Sequence, residues 1–149
     1  MFGSVRIQTS AVSRTDLEPA SIQPGKVIAG SPVARSIRMS VSADGDLSSF
    51  VWDCTAGQFQ CDFTVDEIVH ILDGEVSIAG ADGQTVILRT GDTAYFPHGT
   101  STIWDVPNYV RKFAMTRIPA TDPLSRGVRR LKQVTRPLRR WLRQLAPRA

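Results

Sequence analysis

The stretch "GQFQCDFTVDEIVHILDG", residues 57–74, alternates apolar and polar side chains along two successive runs. A period of two places Phe59, Cys61 and Phe63 on one face of a first strand. Glu67, Val69 and Ile71 share a face of the second. If those faces look inward, Glu67 is a carboxylate among aromatic and aliphatic groups. Such a group is costly unless it is paired, protonated or bound to a ligand.

The same punctuation extends on both sides. From Ile37, "SIRMSV" is followed by the turn "SADGD", then "LSSFVWDC", the turn "TAG", "QFQCDF" and "EIVHILDG". Gly74 and Gly91 stand where hairpins call for positive φ, and "GADGQ" is a hairpin signal between "EVSI" and "TVIL". "TAYFPHGT", "STIWDV" and "YVRKFAMTRI" complete a series of eight or nine short strands without an intervening helix. That pattern predicts an antiparallel sandwich or barrel over residues 37–119. Residues 1–36, broken by Pro19, Pro24 and Pro32 and by the turn "QPGK", read as an N-terminal arm with short extended pieces.

Past "PATDP" the period changes to three and four. Val128, Leu131, Val134, Leu138, Trp141, Leu142 and Leu145 form an apolar stripe among arginines, which predicts a basic amphipathic helix within residues 120–149. Ser125 is its candidate N-cap and Pro137 breaks or kinks it. Charge divides the chain at the same place. Residues 1–122 hold nine basic groups against all 14 acidic ones, a net of −5, whereas residues 123–149 hold nine basic groups and no acid. The pI of 9.6 therefore describes the tail and not the barrel.

Composition is that of a globular protein, 42% hydrophobic and 21% charged, and no run of 18 apolar residues occurs. The N-terminus lacks an apolar core of signal-peptide length, so a cytoplasmic location is expected, with the inner face of the membrane as a peripheral alternative. Cys54 and Cys61 are expected to be free thiols.

Two segments carry a family resemblance. Cupin barrels have a first motif of glycine, a His-x-His pair, glutamate, six residues and glycine. Their second motif is glycine, five residues, Pro-x-Gly, two residues and histidine. Glu67, "IVHILD" and Gly74 match the end of the first; Gly91, "DTAYF", Pro97, His98, Gly99 and Thr102 match the second, with threonine in the histidine's place. "WDCTAGQF", "DEIVHILDGEV", "GDTAYFPHGTSTIWDV" and "YVRKF" resemble one small single-domain branch. It is related to the cupin domain of (S)-ureidoglycine aminohydrolase and to an ethanolamine-utilisation cupin. The resemblance spans roughly Ile28 to Ile118, and "GSPVARS" suits it, whereas the basic tail does not. It implies an all-β cupin (RmlC-like) jelly-roll β-barrel, here followed by the basic amphipathic helix, and commonly a homodimer.

Cys61 and Phe63 stand where the resemblance would place two metal-binding imidazoles. Glu67 with Cys61 falls short of three protein ligands, so no metal cofactor is expected, a divalent ion being the alternative. Glu67 itself reads as a metal ligand, a general acid/base or a structural carboxylate. His70, three residues on, falls on the opposite strand face, and His98 in "FPHG" reads as a rim residue able to reach a ligand at the mouth. Cys61 is either a soft ligand or a small core thiol. Trp52, Phe63, Tyr95 and Trp104 read as cavity walls, with the core as the alternative, and Thr102 as a ligand contact. Lys112 shares parity with Val110 and Ala114 and is expected inside beside Glu67, leaving Arg111 as a surface cation.

The leading expectation is a barrel that binds a small metabolite. Glu67, with Lys112 or Tyr95 polarising the substrate, would suffice for hydrolysis or isomerisation. The rival is a ligand sensor without turnover. In a third reading residues 126–148 dock on an anionic membrane, which the apolar stripe favours over nucleic acid. Packing of the stripe on the barrel or a second subunit is the plain alternative.

Overall fold

The computed structural model describes residues 6–22 and 26–119. The expected helical tail and the "QPGK" turn lie outside them, apart from Lys26. By contacts the chain divides into Met1–Ile118 and Pro119–Ala149.

Eight antiparallel strands form one bent sheet: β1 (Glu18–Ala20), β2 (Val27–Gly30), β3 (Ala34–Val41), β4 (Leu47–Asp62), β5 (Asp66–Gly80), β6 (Thr85–Arg89), β7 (Thr93–Phe96) and β8 (Ser101–Arg117). The hydrogen-bonded order is β1-β3-β4-β8-β5-β6, with β2 on β4 and β7 on β5. The short strands β1 and β2, read from the sequence as arm, thus extend the sheet.

Three long strands replace the six short ones expected. "TAG" does not end a strand: β4 runs through it, its register against β8 shifting between Thr55 and Gly57. β5 likewise continues through Gly74, with shifts between Ile71 and Asp73 and between Gly74 and Ser77. Pro107 and Asn108 fall inside the corresponding irregularity of β8, a place where a proline without an N–H is tolerated. Bulges bend a long strand around a barrel corner and keep its ladder, so a turn signal became a bend.

Gly74 has φ 76°, and a Cβ there would lie 2.0 Å from the Tyr109 carbonyl oxygen. The two backbones touch at that corner, and only glycine fits. The turn expected at "SADGD" (Gly45, φ 79°) joins β3 to β4, and the hairpin expected at "GADGQ" (Gly83, φ 79°) joins β5 to β6. Inside the bend, Val69, Ile71, Val76, Val106 and Val110 are fully buried and pack with Phe59, Phe96 and Trp104.

Candidate functional site

One end of this interior is a cavity of about 470 Å³. Its walls are Trp52, Phe59, Cys61 and Trp104, and its floor is Glu67 and Lys112. Trp52 meets Trp104 edge-on, with ring centroids 6.0 Å apart and planes at 81°. Phe59 stacks against Trp104 at 6.2 Å.

Glu67 enters from β5 on the same face as Val69 and Ile71. Lys112 enters from β8, where its Cα pairs with Ile71. Its side chain runs diagonally along the sheet, and Nζ donates to Glu67 Oε1 at 2.6 Å. The ammonium lies 4.6 Å from the Trp104 ring centroid and 5.0 Å from that of Trp52. With side chains 8% and 14% exposed, Lys112 and Glu67 form a mostly buried ion pair capped by two indole faces. Parity along β8 is enough to place Lys112 inward.

A second pair marks the mouth. Lys26, just before β2, donates to Asp62 Oδ2 at 2.6 Å, and Asp62 also accepts from Gln60 and Ser101. These donors, Lys26 foremost, hold the Asp62 carboxyl well below the usual carboxylate range. No local pattern in the chain signals this pair, whose members are 36 residues apart.

Other expected site residues lie elsewhere. Phe63 is buried and stacks on Phe96 at 4.4 Å, so it belongs to the core and not to the cavity wall. Thr102 is also buried; its hydroxyl accepts from Trp104 Nε1 at 3.0 Å and donates to the Cys61 carbonyl at 3.4 Å, fixing the indole from behind. Tyr95 is 59% exposed on the outer face, opposite Ile68, because its neighbour Phe96 takes the inward position. Its hydroxyl donates to Asp66 at 3.2 Å.

His98 also turns to Asp66 and does not line the cavity: its backbone N–H and Nδ1 both lie 3.1 Å from Oδ1. Asp66, adjacent to Glu67 but facing out, thereby becomes a hub that Arg117 completes at 3.1 Å. The His98 backbone N–H, then its ring and Arg117, keep the Asp66 carboxyl well below the usual range. His70 lies on the outer face, as its spacing from Glu67 implied, and is absent from the cavity lining.

Arg111 does face outward, but it is not the surface cation expected. It donates to the carbonyls of Val12 and Arg14, so the arm covers it, and it lies 3.8 Å from buried Asp53. Asp53 accepts in turn from Arg35 and Tyr109.

Both cysteines are free. Burial pushes the Cys61 thiol up to about 11, and that of Cys54 to the same level. Phe63 is stacked in the core, Thr102 is engaged with Trp104, and Glu67 is paired with an ammonium. The residues at the cupin metal positions therefore do not fit a divalent ion, and no group of three or more His, Cys, Asp or Glu gathers among the described residues.

Comparison with known proteins agrees with the architecture. The family model of the EutQ-like cupin domain matches residues 41–114. A DUF861-family protein from Pseudomonas syringae pv. tomato DC3000 is 26% identical with a TM-score of 0.65. The match covers 71% of this chain but 46% of that one, so the chain spans less than half of its length. Ethanolamine utilization protein Q from Salmonella typhimurium LT2 is 23% identical, TM-score 0.52, over 58% of this chain and 70% of that one. Ectoine synthase from P. lautus is 19% identical, TM-score 0.52, over 58% and 64%. These last two share the fold. No curated protein matches the chain.

Proposed function

We propose, from the premise that this is a cupin-fold protein, that its barrel is a receptor for a small polar metabolite. The metabolite would be held against the Trp52 and Trp104 rings, with Lys112 and Glu67 beneath it. The observation that carries this is the ion pair at the end of an aromatic cavity. Burying two charges costs several kcal/mol per ion, and the pair rarely repays more than that, so it is weak as a device for stability. A lysine and a carboxylate facing a cavity of this size are well placed instead to orient a ligand. The resemblance to ureidoglycine aminohydrolase-type cupins supports a nitrogen-containing or carboxylate-bearing metabolite.

The same pair supports a second reading, a hydrolase- or isomerase-type enzyme. Glu67 would act as general acid/base while the Lys112 ammonium stabilises a developing oxyanion. Tyr95, outside the cavity, has no part in it. Pairing of barrels into a homodimer, a cytoplasmic location, and docking of residues 126–148 on an anionic surface belong to the proposal on sequence grounds alone.

Native mass spectrometry of the purified protein, alone and with a panel of polar metabolites, tests the receptor reading. A bound molecule is expected in the intact protein, with affinity reduced at least tenfold in both Lys112→Met and Glu67→Gln. Tyr95→Phe should retain it. No bound molecule, or binding unchanged in both variants, overturns the reading.

A further inference from the structure

Four charged side chains line the cavity among the described residues: Lys26, Asp62, Glu67 and Lys112. They are already matched. Lys26 meets Asp62 at 2.6 Å at the mouth, and Lys112 meets Glu67 at 2.6 Å on the floor. The largely apolar lining therefore carries four charges that sum to zero.

Both members of the floor pair have capacity to spare. Lys112 carries three N–H donors, of which one goes to Glu67 Oε1, and no second hydrogen bond from Nζ is made to the described residues. The second carboxylate oxygen of Glu67 receives no hydrogen bond from the described residues, as the donor to this side chain is Lys112 acting on Oε1. The floor can thus accept one further anion and one further cation together.

A lone anion or cation fits worse. A monoanion on Lys112 would bring two carboxylates to one ammonium in a site where little water screens them. A monocation on Glu67 would crowd two ammonium groups in the same way. A molecule with one charge of each sign leaves every charge beside an opposite one, and its ammonium can also use the indole faces.

We propose that the cavity selects small zwitterions, whose carboxylate engages Lys112 and whose ammonium engages Glu67, over monoanions and monocations of equal size. This rests on the receptor reading above and names its ligand class. Neutral amides, which can lie beside the pair without parting it, rank second.

The test uses the full chain and a fragment library with equal numbers of zwitterions, neutral amides, monoanions and monocations on matched skeletons. 4-Aminobutyrate, butyramide, butyrate and butylamine form one such set. Native mass spectrometry and thermal shift read the binding. Zwitterions should exceed the singly charged members of their set by tenfold or more. Glu67→Gln should move the preference to monoanions, and Lys112→Met should move it to monocations. Equal binding of butyrate-type or butylamine-type members to the intact protein overturns the proposal, whether or not the variants fold. If fragments bind but do not sort by charge, this inference fails and the receptor reading stands. If none binds, both fail.

Discussion

Replacing Lys112 by methionine removes the countercharge of Glu67 while keeping the length of the side chain. The Glu67 side chain is only 14% exposed, so little solvent is at hand to replace the lost partner. Breaking a buried pair from one side costs about 3–5 kcal/mol. The two lost cation–π contacts, about 0.5–2 kcal/mol each, are largely replaced by sulfur–aromatic contacts of about 0.3–1.5 kcal/mol. Water entering from the cavity argues for the low end, a net loss of about 3 kcal/mol. Glu67→Gln keeps an acceptor and both indoles for the ammonium, and should cost about 2 kcal/mol. The double variant leaves no charge on the floor and should lie within about 1 kcal/mol of the parent. Urea unfolding followed by tryptophan fluorescence measures all four corners of this cycle, provided the m-values agree. The expected coupling is about 4 kcal/mol. Additive single effects, each below about 1 kcal/mol, would show that the pair is solvated like a surface ion pair, and the reasoning would fail.

Other consequences concern different parts of the molecule. Gly74→Ala should prevent folding or cost several times more than Gly91→Ala. Both glycines have positive φ, yet only at Gly74 would the new Cβ strike backbone, at 2.0 Å, whereas at Gly91 it meets nothing within 4 Å. Equal losses in chemical melts would contradict this. Cys61 and Cys54, both near 11, hold about one thiolate in a thousand at pH 8, so iodoacetamide should label the native protein far more slowly than the urea-unfolded chain. Stoichiometric labelling of native Cys61 within minutes would refute it. Asp66 has a folded-state pKa below its unfolded one, so its contribution is fully present above the ordinary carboxylate range and is lost progressively as pH falls from that range down through the lower folded-state pKa. Asp66→Asn should therefore be less stable than the parent at pH 7, with the gap closing on acidification; a gap independent of pH would remove Asp66 from the account.

Much of this was legible in the chain. Alternation placed Phe59, Val69 and Ile71 in the core and Glu67 inside, and parity with Val110 and Ala114 turned Lys112 toward it. Parity reports a direction and not how far a cavity extends. Phe63 and Thr102 point inward as read, but they are covered by Phe96 and Trp104 and never meet the cavity. Tyr95 was assigned by its aromatic character against the parity set by Phe96, and parity decided. Gly57 and Gly74 gave turn signals, and whether a glycine ends a strand or bends it depends on what its partner strand does. β8 runs past both corners, so β4 and β5 continue. The Lys26–Asp62 pair and the cover over Arg111 arise from the arm's path, which leaves no local trace in the sequence.

The central claim is that ligands engage Lys112 in the cavity. The chain has three lysines, Lys26, Lys112 and Lys132, so a lysine-labelled NMR spectrum is simple to assign by substitution. Between two indoles at 4.6 and 5.0 Å, the ε-methylene signal of Lys112 should be displaced by ring currents in the free protein. On titration with a binding zwitterion it should move, in step with saturation measured by calorimetry. A ligand that saturates the protein and leaves the Lys112 signal unmoved would contradict the account.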